Sequence, residues 1–451
     1  MSNVVLVTVD SLRPDHLGCY GYERDTSPNV DALATGGAAF TGFANASWTR
    51  ASFPSIITST YPLEYGGFEY LADQRTTVGS ALQNGGYTTG AFHSNLFLAR
   101  DYNYDRGFDH FFDSKSDPSK LARLRSWLKM NLDHDGIVYR TLQYLYDRTE
   151  ETAGIDMGQI YKDAEEITDE AIAWLDGVDE SFFCWVHYMD VHHPYLSHDE
   201  EAEALGVDTV SDREAIRLRR KMLEEPDAIT NEEFQTLIDL YDMEIRYMDK
   251  HVQRLLETIE RQFDEETVVV FTSDHGEEFL EHGRFSHNPT MYEESIAVPI
   301  VLGGDGLDGD AVDRDRTLPE LLDIAPTCCD LADAPIPDSY RGRSLLWADD
   351  PEEEPRVISE TTSDDGYKIS LRTAEWKFIW DTNDGVEELY DLDADPGERE
   401  NVATDRPDLV DDFRGALQDH IDEMERSSTA VPDVEMDDET ESRLEDLGYL
   451  E

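Results

Sequence analysis

The chain has 451 residues, of which 39% are hydrophobic and 10% aromatic. This composition is rich enough for a sizeable core and excludes global disorder. The formal net charge of -63 excludes nucleic acid as a bound partner. Because single cores seldom grow beyond about 250–300 residues, we expect one large domain with a smaller appendage.

The charge imbalance has a preferred physical interpretation. The 100 Asp and Glu residues outnumber the 37 Lys and Arg residues and are spread along the whole chain. Repulsion on this scale destabilises a compact fold in dilute salt, whereas molar salt shortens the screening length to about 3 Å. We therefore predict a halophilic protein from a high-salt cytoplasm. An acidic surface for a basic partner is the alternative.

The cysteines and the N-terminus bear on the compartment. Cys19, Cys184, Cys328 and Cys329 form neither a disulfide framework nor a paired C-x-x-C zinc motif. The apolar run at 4–7 follows no basic segment, which indicates a buried strand rather than a signal peptide. No run reaches the roughly 20 apolar residues of a membrane span. We expect a soluble cytoplasmic protein without a membrane span, and its oligomeric state stays open.

Apolar runs in chain order predict the main elements. Strands are predicted at 3–9, 85–92, 182–188, 267–272 and 298–302, a loop entering a helix at 47–59, and charged helical segments near 115–178 and 199–262. Strands that alternate with helices indicate an α/β fold with a mostly parallel sheet between helical layers.

The sequence pattern changes after about residue 350. Short strand-like pieces at 355–360, 367–372 and 376–380 predict a small antiparallel sheet, followed by a helix near 406–425. We therefore divide the chain into a catalytic α/β domain at 1–348, a C-terminal α+β subdomain at 349–426 and an acidic tail at 427–451.

Ionisable residues follow the ends of the predicted strands. They are Asp10, His187, Asp190, His192, Asp274 and His275. In parallel sheets, ligands bind outside the carboxyl ends of the strands. Carboxylates with an imidazole suit a divalent cation, so Asp10, Asp274 and His275 are candidate ligands. The alternative is that both aspartates only cap helices.

Several hydroxyls lie in the predicted loop and helix start at 47–59. A hydroxyl at the helix start would meet the positive end of the helix dipole and its backbone N–H groups. Beside a cation, such a hydroxyl loses its proton more readily and can act as a nucleophile. An ordinary N-cap is the alternative.

Several segments, in chain order, resemble the sulfatase family of the alkaline-phosphatase superfamily. They are 9–21, 49–59, 187–195, 273–278 with 281–283, and 388–392 with Asp395, Pro396, Glu398 and Asn401. The resemblance implies a sulfatase-like fold and a small-molecule or glycan ester of sulfate or phosphate as substrate.

The chain also departs from the family pattern. Thr49 stands where sulfatases carry a Cys or Ser that becomes formylglycine, so no formylglycine is expected. Phe53 replaces a basic residue, Ala51 a proline and Ser59 a glycine. Ser11 replaces a second aspartate, which shifts the expected single divalent cation from calcium toward zinc, manganese or magnesium.

The resemblance also implies roles for further residues. His192 and His287 would contact the ester oxygens or protonate the leaving group. A second metal at Asp190, His192 and His287 is an alternative, ranked below one metal. Candidate substrate-binding residues are Ser11, Arg13, His187, Asp190, His282 and Arg284, and His187 has the alternative of a structural histidine.

Three functions follow from these observations. The first is a metal-dependent hydrolase or transferase that prefers phosphate esters and uses Thr49 as nucleophile. The second is a sulfuric ester hydrolase that uses the Thr49 alkoxide. The third is a catalytically weak, sulfatase-like binding protein.

Overall fold

The computed structural model describes residues 2–113, 161–263, 266–287, 289–314, 316–346, 355–363, 366–432 and 434. Most of the predicted helical segment 115–178, the start of the subdomain at 349–354 and most of the predicted acidic tail lie outside the described residues.

The described residues form these strands: β1 Asn3–Val9, β2 Ala38–Phe43, β3 Thr88–Phe92, β4 His110–Phe112, β5 Phe182–Tyr188, β6 Thr267–Ser273, β7 Glu278–Phe279, β8 Phe285–Ser286, β9 Ala297–Gly303, β10 Val357–Ser363, β11 Gly366–Arg372, β12 Trp376–Asp381 and β13 Glu387–Asp391. They form these helices: α1 Pro28–Gly36, α2 Thr49–Thr58, α3 Val78–Asn84, α4 Ala164–Leu175, α5 Asp199–Leu205, α6 Asp212–Glu224, α7 Asn231–Gln262, α8 Glu293–Ile296, α9 Ile324–Leu331 and α10 Pro407–Ser427.

The central sheet is mostly parallel, as predicted. Its strand order is β2-β9-β6-β1-β5-β3-β4, and β9 alone runs antiparallel to its two neighbours. Alternate residues of β1 enter two different cores, with Val4 and Leu6 on one face and Val5 and Val7 on the other. Helices α2, α3 and α9 cover the first face, and α4 and α7 cover the second. The sheet is therefore buried on both faces, which explains its continuous apolar strands.

The register of the three central strands positions the polar residues that follow them. Val9 of β1 pairs with Ser273 of β6 on one side and with Tyr188 of β5 on the other. Asp10 and Asp274 are the next residues of their strands, so they leave the same edge of the sheet side by side. This pairing is the reason that the two strand ends lie together, as the sequence predicted.

The C-terminal sheet is an antiparallel meander of β10, β11, β12 and β13. Apolar residues of this sheet, including Leu371 and Phe378, pack against Phe413 and Leu417 of α10. Three of the strands and the helix were predicted. Strand β13 was not, because its acidic sequence alternates only weakly.

No helix in the described part of the chain combines the length and the apolar character that crossing a membrane requires.

Some of the few cations are buried, with Arg75 and Lys377 fully covered and Arg13 and Arg50 nearly so. Lys377 pairs with a buried carboxylate, whereas Arg13 and Arg50 each pair with an exposed one. Most of the acidic residues have no such partner, so the net charge of -63 is left to the solvent and its ions.

We expect stability to depend strongly on salt. Raising KCl from about 0.1 M to about 3 M shortens the screening length from about 10 Å to below about 3 Å, so the melting temperature should rise. Thermal unfolding followed by circular dichroism measures this. Sucrose is the control, because it favours burial without screening charge. A melting temperature independent of KCl, or restored equally by sucrose, contradicts screening as the cause.

Candidate metal and nucleophile site

Asp10, Asp274 and His275 form a candidate cation-binding group, called the first cation cluster below. Each offers one ligand atom within 4.8 Å of the others, and all three are fully buried. His275 Nε2 lies 3.6 Å from Asp10 Oδ1 and 3.5 Å from Asp274 Oδ2. The three side chains that the sequence singled out as ligands therefore face one small volume.

The pKa values of the two carboxylates are shifted in opposite directions. Burial and the charge of Asp10 raise the pKa of Asp274 well above its usual range. Burial also acts to raise the pKa of Asp10, but the nearby histidines His192, His187 and His275 together hold it well below its usual range. Two carboxylates that share a buried site behave in this way. A divalent cation between them would remove their repulsion.

His275 is oriented for a ligand. Its Nδ1 lies 2.8 Å from the carbonyl oxygen of Gly276, so Nδ1–H donates there and the Nε2 lone pair points to the carboxylates. Burial lowers the pKa of His275 to about 3, which keeps the ring neutral near pH 7. A neutral imidazole with its second nitrogen anchored is the usual form of a metal-bound histidine.

Thr49 stands at the first position of α2. Trp48 before it is extended, and Ser52, one turn later, donates to the carbonyl oxygen of Asp274 at 2.5 Å. The Thr49 hydroxyl lies 3.2 Å from Asp10 Oδ2 and 3.2 Å from His275 Nε2. The start of the helix is thus fixed to the end of β6, and it carries the hydroxyl into the first cation cluster.

His192 and His287 lie beside this cluster. The ring centroids of His275 and His287 are 4.7 Å apart, and those of His192 and His287 are 4.9 Å apart. Burial lowers the pKa of His287, but the hydrogen bond and charge of Glu277 outweigh it and raise the pKa above its usual value. Burial lowers the pKa of His192 to about 3. His287 is therefore the better proton donor of the two.

Ser11 and His187 lie next to the carboxylates of the first cation cluster. Ser11 donates its hydroxyl to Asp10 Oδ1 at 3.0 Å and its N–H to Asp274 Oδ1 at 3.2 Å. His187 Nδ1 is 3.0 Å from the Thr8 hydroxyl, and its Nε2 is 3.7 Å from Asp10 Oδ2. The edge of Phe53 packs on the His187 ring. These contacts are supports for the ligands, so direct substrate contact stays a prediction.

Four other candidates make contacts elsewhere. Asp190 Oδ1 accepts the N–H of Ala164 at the start of α4. Arg13 pairs with Asp15 and Glu281. His282 stacks on Tyr292, with one ring nitrogen 2.5 Å from Glu294 and the other 3.0 Å from the Glu398 carbonyl oxygen. The Arg284 side chain is exposed. Substrate contacts of these four side chains remain predictions.

The structure adds residues that sequence reasoning missed. Asn95 follows β3 and donates Nδ2–H to Asp10 Oδ2 at 3.3 Å. Glu277 lies 3.5 Å from His287 Nδ1, and His193 joins His192 and His287 in a second group of ring nitrogens. The strand-end rule could have found Asn95, because β3 is a parallel strand of the same sheet.

The C-terminal sheet is tied to the loop that carries His287. Lys377 of β12 is fully buried, and its ammonium lies 3.1 Å from Glu293 and 3.0 Å from Glu398. Glu398 in turn accepts the Glu293 N–H at 2.7 Å. This buried group holds the appended sheet against the segment that follows His287.

The segment after His193 is also fixed by an ion pair, which predicts a pH effect. His198 Nε2 is 2.9 Å from Glu244 Oε2. Burial lowers the pKa of His198, but the charge and hydrogen bond of Glu244 outweigh it and raise the pKa to about 9. The folded-state pKa exceeds the unfolded value of about 6.5. The stabilisation is therefore complete below about pH 6.5 and is lost as pH rises through about 9.

We expect the difference in unfolding free energy between wild type and His198→Gln to shrink by at most about 3 kcal/mol between about pH 6 and pH 10. Urea unfolding at constant high salt measures this. His251→Gln, at another buried histidine without such a carboxylate bond, is the control. A difference that stays constant with pH contradicts the ion pair.

The family follows from comparison with known proteins. Residues 2–334 match the Sulfatase family model, and residues 280–427 match the C-terminal region of N-sulphoglucosamine sulphohydrolase. The first match spans more than half of the chain. The chain belongs to the sulfatase family.

Individual relatives are similar over different lengths. An arylsulfatase from Clostridium perfringens is 25% identical over 441 residues, 89% of this chain and 90% of that protein. Arylsulfatase K from Canis lupus familiaris is 34% identical over 166 residues, 33% of this chain and 30% of its own length. A Delta 4,5-hexuronate-2-O-sulfatase from Bacteroides thetaiotaomicron is 30% identical over 194 residues, 41% of this chain and 40% of its own length. The chain thus aligns with less than half of the last two proteins.

Solved structures share the fold. The phosphonate monoester hydrolase of Agrobacterium radiobacter superposes with a TM-score of 0.69 at 19% identity, over 94% of this chain and 96% of that chain. A 2-O GAG sulfatase gives 0.65 at 19% identity, over 97% and 96%. The same architecture therefore occurs in sulfatases and in a phosphonate monoester hydrolase.

Proposed function

We propose that this protein is a metal-dependent hydrolase or transferase of anionic esters, with phosphate esters preferred over sulfate esters and Thr49 as the nucleophile. The observation that carries the proposal is the position of the Thr49 hydroxyl, 3.2 Å from both Asp10 Oδ2 and His275 Nε2. Trp48, and not Thr49, occupies the N-cap position of α2, so an ordinary capping role does not account for this hydroxyl.

The residues present fit one divalent cation. Asp10, Asp274 and His275 supply carboxylate oxygens and an imidazole nitrogen, and Asp274 Oδ2 is buried without a hydrogen bond of ordinary geometry. The imidazole in this donor set suits zinc, and three protein ligands fall short of the about 6–8 oxygens that calcium takes. When bound, the cation would lower the pKa of a coordinated hydroxyl and attract the ester oxygens.

The protein side chains then have separate tasks. Asp10 Oδ2 accepts the proton that the Thr49 hydroxyl loses as its oxygen attacks, and the start of α2 presents backbone N–H groups to the anionic ester. The Thr49 oxygen attacks phosphorus, the bond to the leaving oxygen breaks, and His287 supplies the proton that this oxygen takes up. Water, or an acceptor alcohol, then releases the group from Thr49.

The preference for phosphate rests on the chemistry of threonine. The β-carbon of Thr49 carries a methyl group, so its oxidation cannot give the aldehyde of formylglycine. This chain therefore cannot form the hydrated aldehyde that sulfatases use as nucleophile, and the Thr49 hydroxyl itself would attack the ester. Sulfate ester hydrolysis through the Thr49 alkoxide is the second candidate, favoured by the family match over residues 2–334.

A substrate panel tests the proposal. The protein in molar KCl is given aryl sulfate, aryl phosphate monoester and aryl phosphodiester substrates with zinc, manganese, magnesium or calcium in turn. We expect the highest kcat/KM on a phosphate ester with one of the first three metals. Faster release of sulfate than of phosphate overturns the preference. Metal binding without turnover of any substrate favours the binding protein instead.

A further inference from the structure

A cavity of about 250 Å³ lies between the β7–β8 hairpin and the C-terminal sheet. Glu277 contacts His287 beside the first cation cluster, whereas the next residue, Glu278, lines this cavity. The two neighbouring glutamates therefore serve separate places. The charged lining of the cavity consists of four carboxylates and two cations: Glu278, Asp381, Asp384, Glu388, Lys368 and Arg284.

The Glu278 carboxylate has one oxygen in use and one to spare. The side chain is fully buried, and its Oε1 accepts the backbone N–H groups of His282 at 3.1 Å and of Arg284 at 2.8 Å. Its Oε2 is buried without a hydrogen-bond partner among the described residues. A buried carboxylate oxygen without a donor is costly. We infer that this cavity, called the ammonium pocket below, binds a small organic ammonium ion that donates to Glu278.

The charge of the ammonium pocket favours a cation. Lys368 Nζ lies 3.7 Å from Asp381 Oδ2, so these two charges offset each other. The three remaining carboxylates of the lining are set against one guanidinium, that of the exposed Arg284. Burial raises the pKa of Glu278, and a cation beside this carboxylate would favour its charged form.

The spacing and the apolar part of the lining indicate an organic cation instead of a metal ion. Within the described ranges, three or more acidic or histidine side chains converge closely enough for one metal ion in two places, and neither set includes a residue of this cavity. Met291, Ile379 and Val386 supply apolar surface, and Val386 is 47% exposed. Tyr292 adds an aromatic ring, which attracts ammonium groups. An alkyl chain would cover this surface while its ammonium group meets the carboxylates.

Two adjacent residues of β13 provide a target and a matched control. Glu388 lines the ammonium pocket, and its Oε2 accepts the Tyr292 hydroxyl at 2.9 Å. The side chain of Glu387 points to the other face of the sheet and pairs with Arg414 of α10. Replacing each by glutamine removes the same charge from the same strand, but only Glu388→Gln removes it from the pocket.

Isothermal titration calorimetry tests the ammonium pocket without measuring activity. The full chain in molar KCl is titrated with butylammonium chloride and, separately, with butanol as the neutral analogue. We expect wild type and Glu387→Gln to bind butylammonium equally, and Glu278→Gln and Glu388→Gln to bind it at least about tenfold more weakly. Glutamine at 278 keeps the oxygen that accepts the two backbone N–H groups, and circular dichroism checks that each variant is folded.

Several results would overturn the pocket. They are no binding of butylammonium to wild type, butanol binding as tightly as butylammonium, or an equal loss in Glu387→Gln. Unchanged affinity in folded Glu278→Gln would do the same. If Glu278→Gln does not fold, Glu388→Gln decides alone, and its unchanged affinity overturns the pocket. Because these titrations need no turnover, they leave the proposed function untouched whichever way they fall.

The same chemistry would recognise a free amine or the ammonium end of an ester's alcohol portion. A kinetic comparison of aminobutyl phosphate with butyl phosphate separates the two sources, and this arm alone rests on the proposed function. If the substrate carries the ammonium, Glu278→Gln should raise KM at least about tenfold for aminobutyl phosphate only. If the occupant is a free amine, KM should stay unchanged for both esters, and butylammonium should bind equally well with either ester present.

Discussion

Asp274→Asn should lose the first cation and at least about 1000-fold in turnover. A divalent ion that stabilises charge at the transition state contributes several kcal/mol, and each 1.4 kcal/mol is a factor of ten. Asparagine keeps the side-chain oxygen that accepts N–H groups from Ser11 and His275, so the fold should survive. It removes the negative charge that a cation requires.

The measurement is kcat with the best substrate, together with metal content after dialysis in high salt. Asp249→Asn is the matched control. Asp249 is also buried, but its carboxylate accepts N–H groups of Asn29 and Val30 at the start of α1, so only stability should change. Full activity and full metal content in Asp274→Asn contradict the first cation cluster.

Thr49→Ala should abolish turnover while the cation remains bound. Removal of a nucleophile that works together with its neighbours costs at least about 1000-fold and often much more. Thr49→Ser keeps the hydroxyl and should retain much of the rate. Thr58→Ala is the matched control, because Thr58 is a buried threonine of the same helix whose hydroxyl contacts only the Pro54 carbonyl oxygen and the Thr60 hydroxyl among its described hydrogen-bond partners.

Four rates, measured on one substrate at saturating metal, decide the nucleophile. Wild type, Thr49→Ser and Thr58→Ala should all turn over the substrate. Thr49→Ala should be inactive, with its metal content unchanged. Equal turnover by Thr49→Ala and wild type removes Thr49 from the mechanism. Loss of the metal in Thr49→Ala would instead assign the hydroxyl a role as ligand.

The convergence of Asp10 and Asp274 could be predicted because it depends on a local rule. Each follows a continuous apolar run, and such runs become neighbouring parallel strands whose carboxyl ends share one edge. Thr49 was identified only by its position in the segment that resembles the family's nucleophile motif, since several hydroxyls lie at the predicted helix start at 47–59.

Other features depend on pairings that no local pattern contains. The direction of β9 is set by the path of the chain, and its apolar sequence would suit either direction. Glu277 meets His287 because Glu278 of β7 pairs with Ser286 of β8, and strands of two residues leave no periodicity to read.

The most direct test of the account is the site of the covalent intermediate. Wild type is mixed in high salt with an aryl ester whose good leaving group makes the first step fast, and the reaction is stopped in acid. The peptide that ends at Arg50 is then examined by tandem mass spectrometry. We predict a phosphate ester, or a sulfate ester, on the Thr49 hydroxyl in wild type and none in Thr49→Ala. A burst of leaving group with the ester on another residue, or an equal burst in Thr49→Ala, would contradict Thr49 as the nucleophile.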